Sequence, residues 1–356
     1  MGSFWGHVDE GIFFILLAVW WMVCAFKEYI MSLFWDNPVE KNVLTNRGDV
    51  NGRVAQSRLC FCKIGVPAAD LSTLAESKGK AMKPNIHYDV TICRPIPLEI
   101  IFKIVFPIVG FLGELLDGGV RFQDSEGHFV KLVYQQHMTI YGIFIIHSVT
   151  DLLAWLRAPL FPMFNYVTAL LAFLWYGVAF YYHANMHGKE PVEMIIHVLP
   201  ISLMFLVSTA IMLEMRWQEG VWTMVVRAYG VLTLGTWFSH VAFMLYVHNK
   251  FPGGERSNLD RSDPNNVTFV KAMFGMHLFV NLLITIAIYF MVYLALKLRF
   301  GISIKGGLDR TLHDYQHLPL SLGEGKFGKG GAGHFNILDM QDSGQENSPM
   351  LLDPEA

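Results

Sequence analysis

The sequence has few charged residues and few cysteines for its length. Only 16% of its 356 residues are Asp, Glu, Lys or Arg, whereas an ordinary soluble domain carries about 25%. The net charge is −3, and the sequence has no compact basic patch of the kind that binds nucleic acid. Cys60 and Cys62 are too close for an ordinary disulfide, and no second pair completes a zinc ribbon. These absences exclude a nucleic-acid partner and a disulfide scaffold.

The sequence also lacks the signatures of nucleotide-binding proteins and of hydrolases. The sequence contains neither a P-loop nor a dinucleotide-binding fingerprint, and the apolar segments hold no Ser-His-Asp set. Ser148 lies beside His147 and Asp151, but adjacency in sequence alone does not define a catalytic triad. Common cytosolic enzyme classes are therefore not indicated.

What the chain has in excess is apolar sequence, at 53% of all residues. These residues fall into seven runs, each close to the ~20 residues that span a bilayer. The runs are Glu10–Phe34, Leu98–Leu116, Phe129–Leu156, Phe161–Tyr182, Pro191–Leu213, Val221–Val247 and Val267–Leu298. This pattern predicts an all-α fold, an integral membrane bundle of seven helices. Lys103 and Arg227 inside the runs are interpreted as anchors whose long side chains reach the membrane interface.

Lys and Arg are enriched between the first two runs and after the seventh. By the positive-inside rule, the N-terminus then faces the lumen or exterior and the C-terminus the cytosol. The N-glycosylation sequon at Asn266 falls on the lumenal side of this topology. Four regions follow, namely the lumenal N-terminus and first helix (1–34), a flexible cytosolic loop (35–97), six further transmembrane helices (98–298) and a disordered cytosolic tail (299–356).

Polar residues inside the runs concentrate toward one side of this predicted bundle. Intramembrane histidines and carboxylates are costly in lipid and therefore call for a function. The candidate metal ligands are four histidines and two accompanying carboxylates, His137, His187, His197, His277, Glu114 and Glu190. Such ligands suit a divalent metal such as zinc, and histidines facing each other from separate helices could instead hold a haem. His183 is interpreted as a bystander, and any single histidine here can also be a packed, hydrogen-bonding residue.

Several motifs together resemble the transmembrane protein 45 family. They are Met1-Gly-Ser-Phe-Trp-Gly-His7, Gly113-Glu114, Gln136-His137-Met-Thr-Ile-Tyr141 with Asp151, His187-Gly-Lys-Glu190 with His197, Gly235-Thr-Trp-Phe238 and Leu245-Tyr246. The resemblance implies a seven-helix protein of the Golgi and other endomembranes, with no established catalytic activity. It also implies roles for His7, His137, Glu190, His197 and His277, and not for His147, His183 or His240. The long first loop and the extended tail depart from the family pattern.

The leading hypothesis is thus a multi-pass protein of Golgi, endosomal or plasma membrane with a lumen-facing, histidine-lined cavity. That cavity would bind a divalent metal and handle an ion or a lipid. One alternative is a membrane-embedded hydrolase, with zinc on three histidines and Glu114, Glu190 or Asp151 as the general base. A second alternative is a sorting or scaffold protein, because Tyr315 and Leu318 in the tail form a Tyr-x-x-apolar signal of the type that clathrin adaptors bind.

Overall fold

The computed structural model describes residues 4–35, 63–64, 88, 90–91, 95–119, 122–186, 188–217, 220–246 and 259–300. Apart from three two-residue strands, the regular structure of this part of the chain is helical. The helices are α1 (Phe4–Trp35), α2 (Leu98–Gly118), α3 (Leu132–Trp155), α4 (Phe164–Ala184), α5 (Pro191–Val198), α6 (Ile201–Arg216), α7 (Val221–Tyr246) and α8 (Pro264–Phe300). The predicted all-α class is confirmed, and each predicted apolar run is helical over most of its length.

The three strands lie in the segment that was predicted to be a loop. They are β1 (Lys63–Ile64), β2 (Val90–Thr91) and β3 (Pro95–Ile96). They pair antiparallel in the order β1-β2-β3. Most of the rest of this loop lies outside the described residues, as does everything from residue 301 onward, including the sorting signal at Tyr315 and Leu318.

Six helical segments in the described chain are long and apolar enough to cross a membrane. They are α1, α3, α4, α7, α8 and the pair α5–α6, which together form one 26-residue segment, Pro191–Arg216. The chain is therefore a multi-pass membrane protein by length and composition. Helix α2 has 21 residues, but it falls outside this set because it carries four charged side chains, Glu99, Lys103, Glu114 and Asp117.

A proline explains the break between α5 and α6. Pro200 has no N–H to donate to the carbonyl of Ile196, so the helical hydrogen-bond ladder loses one bond at this point. The indole Nε1 of Trp237 on α7 donates to that same carbonyl at 3.1 Å. Trp237 is itself fully buried. Helix α7 thus satisfies the backbone group that the proline leaves unpaired, as burial in a membrane protein requires.

Helices α1 and α7 meet with almost no side chain between them. A Cβ placed on Gly235 would lie 2.7 Å from the backbone N of Ile15 and 2.8 Å from the carbonyl O of Gly11. Small residues allow this kind of close backbone approach between membrane helices. Helix α7 is buried along most of its length, so this contact places α1 against the centre of the bundle.

Two buried ion pairs lie well away from the N-terminal end of α1. Lys103 Nζ is 2.5 Å from Asp151 and 3.4 Å from Glu99. Arg227 Nε donates to Glu214 at 2.8 Å, and its guanidinium lies 4.3 Å from the centre of the Trp21 ring. All five charged residues in these contacts are at most 5% exposed. The interpretation of Lys103 and Arg227 as interfacial anchors is wrong, because each is buried against a carboxylate.

Helix α8 has the most exposed surface of the six segments, with 17% of its most apolar stretch buried. Its exposed side chains include Phe279, Leu283 and Phe290. In contrast, Asn281 is 1% exposed and donates to Thr236 on α7 at 2.8 Å. This helix therefore offers one narrow polar strip to the bundle and a broad apolar surface suited to lipid.

Candidate functional site

A small cavity lies at the end of the bundle where α1 begins. We call it the histidine cavity. Its volume is about 30 Å³, enough for one or two water molecules. The polar lining consists of His7, Glu10, Glu114, His137, Tyr141, His183 and His197. Five different helices, α1 to α5, contribute these side chains, so the cavity exists only once the bundle is assembled.

The helix ends explain why these residues meet. His7 and Glu10 are three residues apart near the start of α1 and therefore lie on one helical face. Glu114 lies in the last turns of α2, whereas His137 lies near the start of α3, so the reversal of the chain brings the two together. His183 ends α4, and His197 lies in the last turn of α5.

Three of the histidines are each fixed through Nδ1 by an oxygen. Nδ1 of His137 is 2.9 Å from Glu114 Oε1, and Nδ1 of His197 is 2.6 Å from the carbonyl O of Glu193. Nδ1 of His183 is 3.1 Å from Gln136 Oε1. A carbonyl oxygen or a carboxylate can only accept, so Nδ1 of His137 and of His197 must carry the proton. Because Nδ1 of His183 lies beside the amide oxygen of Gln136, which also accepts, His183 has the same tautomer.

This tautomer leaves Nε2 of a neutral imidazole as an acceptor. The three rings follow one another across the cavity, with 5.3 Å between the centres of His137 and His183 and 4.8 Å between those of His183 and His197. His7 continues the series at 6.1 Å from His197. The cavity thus gathers His137, His183 and His197, whose Nε2 atoms can accept a proton or coordinate a metal.

Glu10 adds a carboxylate on the inner side of the same cavity. The hydroxyl of Tyr176, a fully buried residue of α4, donates to Glu10 Oε1. This bond links α1 to α4 and fixes the carboxylate beside the histidines. Neither Glu10 nor Tyr176 was predicted from the sequence as a site residue. The available signal was the i, i+3 spacing of Glu10 from His7 at the start of an apolar run.

A second cavity adjoins the first and is larger, at about 190 Å³. We call it the basic cavity. Its lining comprises Val133, His183, Met186, Gly188, Lys189, Glu193, His197, Leu245, Tyr246 and Arg261. His183 and His197 line both cavities, so these two imidazoles form a shared wall. His183, interpreted from the sequence as a bystander, therefore lies at the centre of the site.

Of the charged side chains that line the basic cavity, Arg261 and Glu193 pair with each other and Lys189 takes no part in that pair. Arg261 Nη1 donates to Glu193 Oε1, and its Nη2 donates to the carbonyl O of Leu245 at 3.1 Å. The Nζ of Lys189 is buried and has no hydrogen-bond partner among the described residues. Burial lowers the pKa of Lys189 to about 8, and the nearby charge of Glu193 acts in the opposite direction.

His277 lies apart from both cavities. Its Nε2 is 2.9 Å from Nδ1 of His240, and its Nδ1 is 3.1 Å from the hydroxyl of Thr236. It belongs with Asn281 to the polar contact between α7 and α8. Of the four histidines predicted as metal ligands, the structure brings His137 and His197 to one cavity, places His277 elsewhere, and leaves His187 outside the described residues.

The carboxylates predicted from the sequence as metal ligands or general bases also lie in different parts of the structure. Glu114 lines the histidine cavity, whereas Glu190 is exposed and lines neither cavity. Asp151 is fully buried against Lys103, and His147 Nε2 lies 3.5 Å from it. Asn266 is half-buried in the first turn of α8. Among the described residues, no three His, Cys, Asp or Glu side chains are arranged to hold a metal ion.

Comparison with known families gives one match for this part of the chain. Residues 164–290 match the model of a family of unknown function, DUF716. The matched segment runs from α4 into α8 and therefore contains His183, Lys189, Glu193, His197 and Arg261. It covers one wall of the histidine cavity and most of the basic cavity. Because the family has no assigned activity, function must be argued from the site itself.

Proposed function

We propose that this protein is a seven-span integral membrane protein whose histidine cavity binds a cation at the lumenal or exterior end of the bundle. The observation that carries the proposal is the oxygen atom within hydrogen-bond distance of Nδ1 in each of His137, His183 and His197, from which the same tautomer follows for all three. Each donates through Nδ1 to an oxygen, so each presents Nε2 as an acceptor. A cation is what such an array binds, either a proton or a divalent metal with affinity for imidazole.

The surroundings of the imidazoles support cation binding. Metal-binding histidines in proteins donate their second ring N–H to a carboxylate or a backbone carbonyl, and His137 and His197 do this here. Glu10 and Glu114 place carboxyl groups beside the rings, and a carboxylate favours a positive charge next to it when it is ionised. A metal ion would need a ligand beyond those in the described geometry, for which His187 is the candidate, or a rearrangement of the side chains that line the cavity.

The seven-span topology is part of the same proposal. Helix α2 is long enough to cross a bilayer, and three of its four charged side chains have partners in the bundle. Glu99 accepts from Trp20 and Trp21, Lys103 pairs with Asp151, and Glu114 contacts His137. Asp117, in the last turn, is exposed. The distribution of Lys and Arg supports a lumenal or exterior position for the cavity. With the resemblance to transmembrane protein 45 relatives, this supports a location in Golgi, endosomal or plasma membrane, and the tail motif at Tyr315 would supply the sorting signal for clathrin adaptors.

The hydrolase alternative has less support in the geometry. Of the three general bases considered, Asp151 is held by Lys103 and Glu190 is exposed. Neither lines the histidine cavity. Glu114 remains, but its Oε1 accepts from His137, which makes it an orienting partner of that histidine. Cation binding needs no base, and we therefore retain it as the proposed function.

Zinc titration of the purified full-length protein tests the proposal. We expect saturable binding of Zn²⁺, detected calorimetrically, through the unprotonated Nε2 atoms. His137→Ala, His183→Ala and His197→Ala should each weaken it by about tenfold or more. His277→Ala is the matched control, since this histidine lies on α8 outside the cavity, and it should bind as the unaltered chain does.

A proton as the physiological ligand would give a different result. Zn²⁺ would then fail to bind, and NMR titration of the imidazoles would show His137, His183 and His197 exchanging protons in a coupled manner that single substitution disturbs. The proposal is wrong if folded protein binds no Zn²⁺ and the three imidazoles titrate independently of one another.

A further inference from the structure

We propose that the basic cavity is a binding site for a phosphate group, held through the ammonium group of Lys189. The proposal is independent of cation binding, because Lys189 lines the basic cavity and not the histidine cavity. Phosphate could come from a lipid headgroup or from a free anion, and both would offer the same oxygens to Lys189.

The first support is the unsatisfied ammonium group. Nζ of Lys189 is buried and forms no hydrogen bond within the described part of the chain. A buried donor without a partner costs about 1–3 kcal/mol, and more when it is charged. Native structures therefore leave few such groups, and each one calls for a partner such as a bound ion. The three N–H donors of a lysine match the oxygens of a phosphate.

The second support is the charge balance of the lining. The basic cavity has two cationic residues, Lys189 and Arg261, and one carboxylate, Glu193. Arg261 and Glu193 pair with each other through Nη1 and Oε1. Their charges offset each other, so the positive charge of Lys189 is left without a hydrogen-bonded counter-ion. An anion entering the cavity would meet this charge without having to break the ion pair.

The third support is the way that the chain positions Lys189. Gly188 has a φ of +82°, a left-handed conformation that glycine adopts at little cost. It turns the chain between α4 and α5 immediately before Lys189. Helix α5 then begins at Pro191, so its N-terminal end, where the helix dipole favours negative charge, is close in sequence to the ammonium group.

The size and composition of the cavity match a phosphate and its substituent. A single water needs about 10–15 Å³ of such space, and the basic cavity offers about 190 Å³. Val133, Met186 and Leu245 supply apolar lining beside the charged residues. A charged group next to an apolar wall at the end of a membrane bundle suits the boundary between a lipid headgroup and its glycerol backbone.

Binding to the full-length protein in nanodiscs of neutral phosphatidylcholine tests the proposal. The probes are inorganic phosphate and a short-chain phosphatidate, each followed by ³¹P NMR. We expect saturable binding that Lys189→Ala weakens tenfold to a hundredfold, as loss of a charged hydrogen bond does, while Lys189→Arg keeps most of it. Lys271→Ala, which removes an exposed lysine of α8, is the matched control and should bind normally.

The two probes separate the sources of the phosphate. Binding of phosphatidate alone identifies a lipid headgroup, and binding of inorganic phosphate as well identifies a site for free anions. The proposal fails if neither probe binds saturably, in which case water satisfies Lys189, or if Lys189→Ala and Lys271→Ala bind alike. Zinc binding at the histidine cavity can succeed or fail separately, because neither lysine lines that cavity.

Discussion

At the scale of single residues, Trp237 carries a structural role that its position in the sequence does not reveal. It is fully buried, and its indole N–H pairs with the carbonyl of Ile196. Pro200 creates the need for this bond by removing the usual helical donor. The residue is also packed edge-on against Phe274 of α8. One side chain thus connects three helical segments and satisfies a backbone group inside the membrane.

We therefore expect Trp237→Phe to lower the free energy of unfolding by about 1–3 kcal/mol, because the Ile196 carbonyl loses its donor in a buried position. Unfolding of the purified protein in mixed detergent micelles measures this difference. Trp222→Phe on the same helix is the control, since Trp222 is 65% exposed, and it should change stability little. Equal stability of the two variants would contradict the assigned role.

Lys103 shows how a charge can be kept inside a membrane helix. Its ammonium group lies between Asp151 of α3 and Glu99 of its own helix. Glu99 also accepts from Trp20, Trp21 and the backbone N of Tyr88. Since every charge here has an opposite charge or a donor beside it, the desolvation penalty is offset. The cluster joins α1, α2 and α3 and does not line either cavity.

At the scale of helices, the contact between α1 and α7 determines where the histidine cavity forms. Gly11 is one residue after Glu10 and four after His7. The close approach of Gly11 to Gly235 therefore fixes where Glu10 and His7 lie along the axis of the bundle. A Cβ on Gly11 would lie 2.8 Å from the carbonyl O of Gly235. The contact is therefore between backbones, and neither helix can adjust by moving a side chain.

For this reason Gly235→Ala should destabilise the protein by about 1–3 kcal/mol through overpacking of α1 against α7. The comparison is Gly142→Ala on α3, where no atom lies within 4 Å of the added methyl group. That change should instead stabilise the protein slightly, because alanine favours helix over glycine. Thermal unfolding of the two purified variants measures both effects. A neutral Gly235→Ala would show that α1 and α7 are farther apart than the structure has them.

At the scale of the whole molecule, the number of spans decides which side of the membrane each cavity faces. Six segments are apolar enough to cross, which alone would place both termini on one side. If α2 crosses as well, the number is odd and the termini lie on opposite sides. The burial of Glu99 and Lys103 and the pairing of Glu114 favour the crossing, since charges satisfied inside a bundle need not contact lipid.

Cysteine labelling distinguishes these topologies. In a chain with Cys60, Cys62 and Cys93 replaced by serine, Glu126→Cys lies in the exposed turn between α2 and α3. We expect it to be protected from a membrane-impermeant maleimide in sealed microsomes and labelled after permeabilisation. Glu76→Cys, which precedes α2 in the sequence, should be labelled without permeabilisation. Equal accessibility of positions 76 and 126 in sealed microsomes would mean that α2 does not cross.

The sequence by itself determined the helical class and the multi-pass character, because a run of about 20 apolar residues has no other stable conformation in a bilayer. It also predicted His137, His197 and Glu114 as candidate ligands, because polar groups are costly in an apolar run, and these three residues line one cavity in the structure. The sequence alone could not distinguish a histidine that lines a cavity, such as His183, from one that packs between helices, such as His277.

Only the tertiary structure decided those roles, because each depends on partners distant in sequence. Glu10 meets Tyr176 across 166 positions, and Lys103 is neutralised by a residue of another helix. The positive charge of Lys189 is notable only once Arg261 is seen to pair with Glu193. Hydrogen bonds and ion pairs are short-range, so the fold that brings their atoms together determines which polar residues are satisfied and which remain available to a ligand.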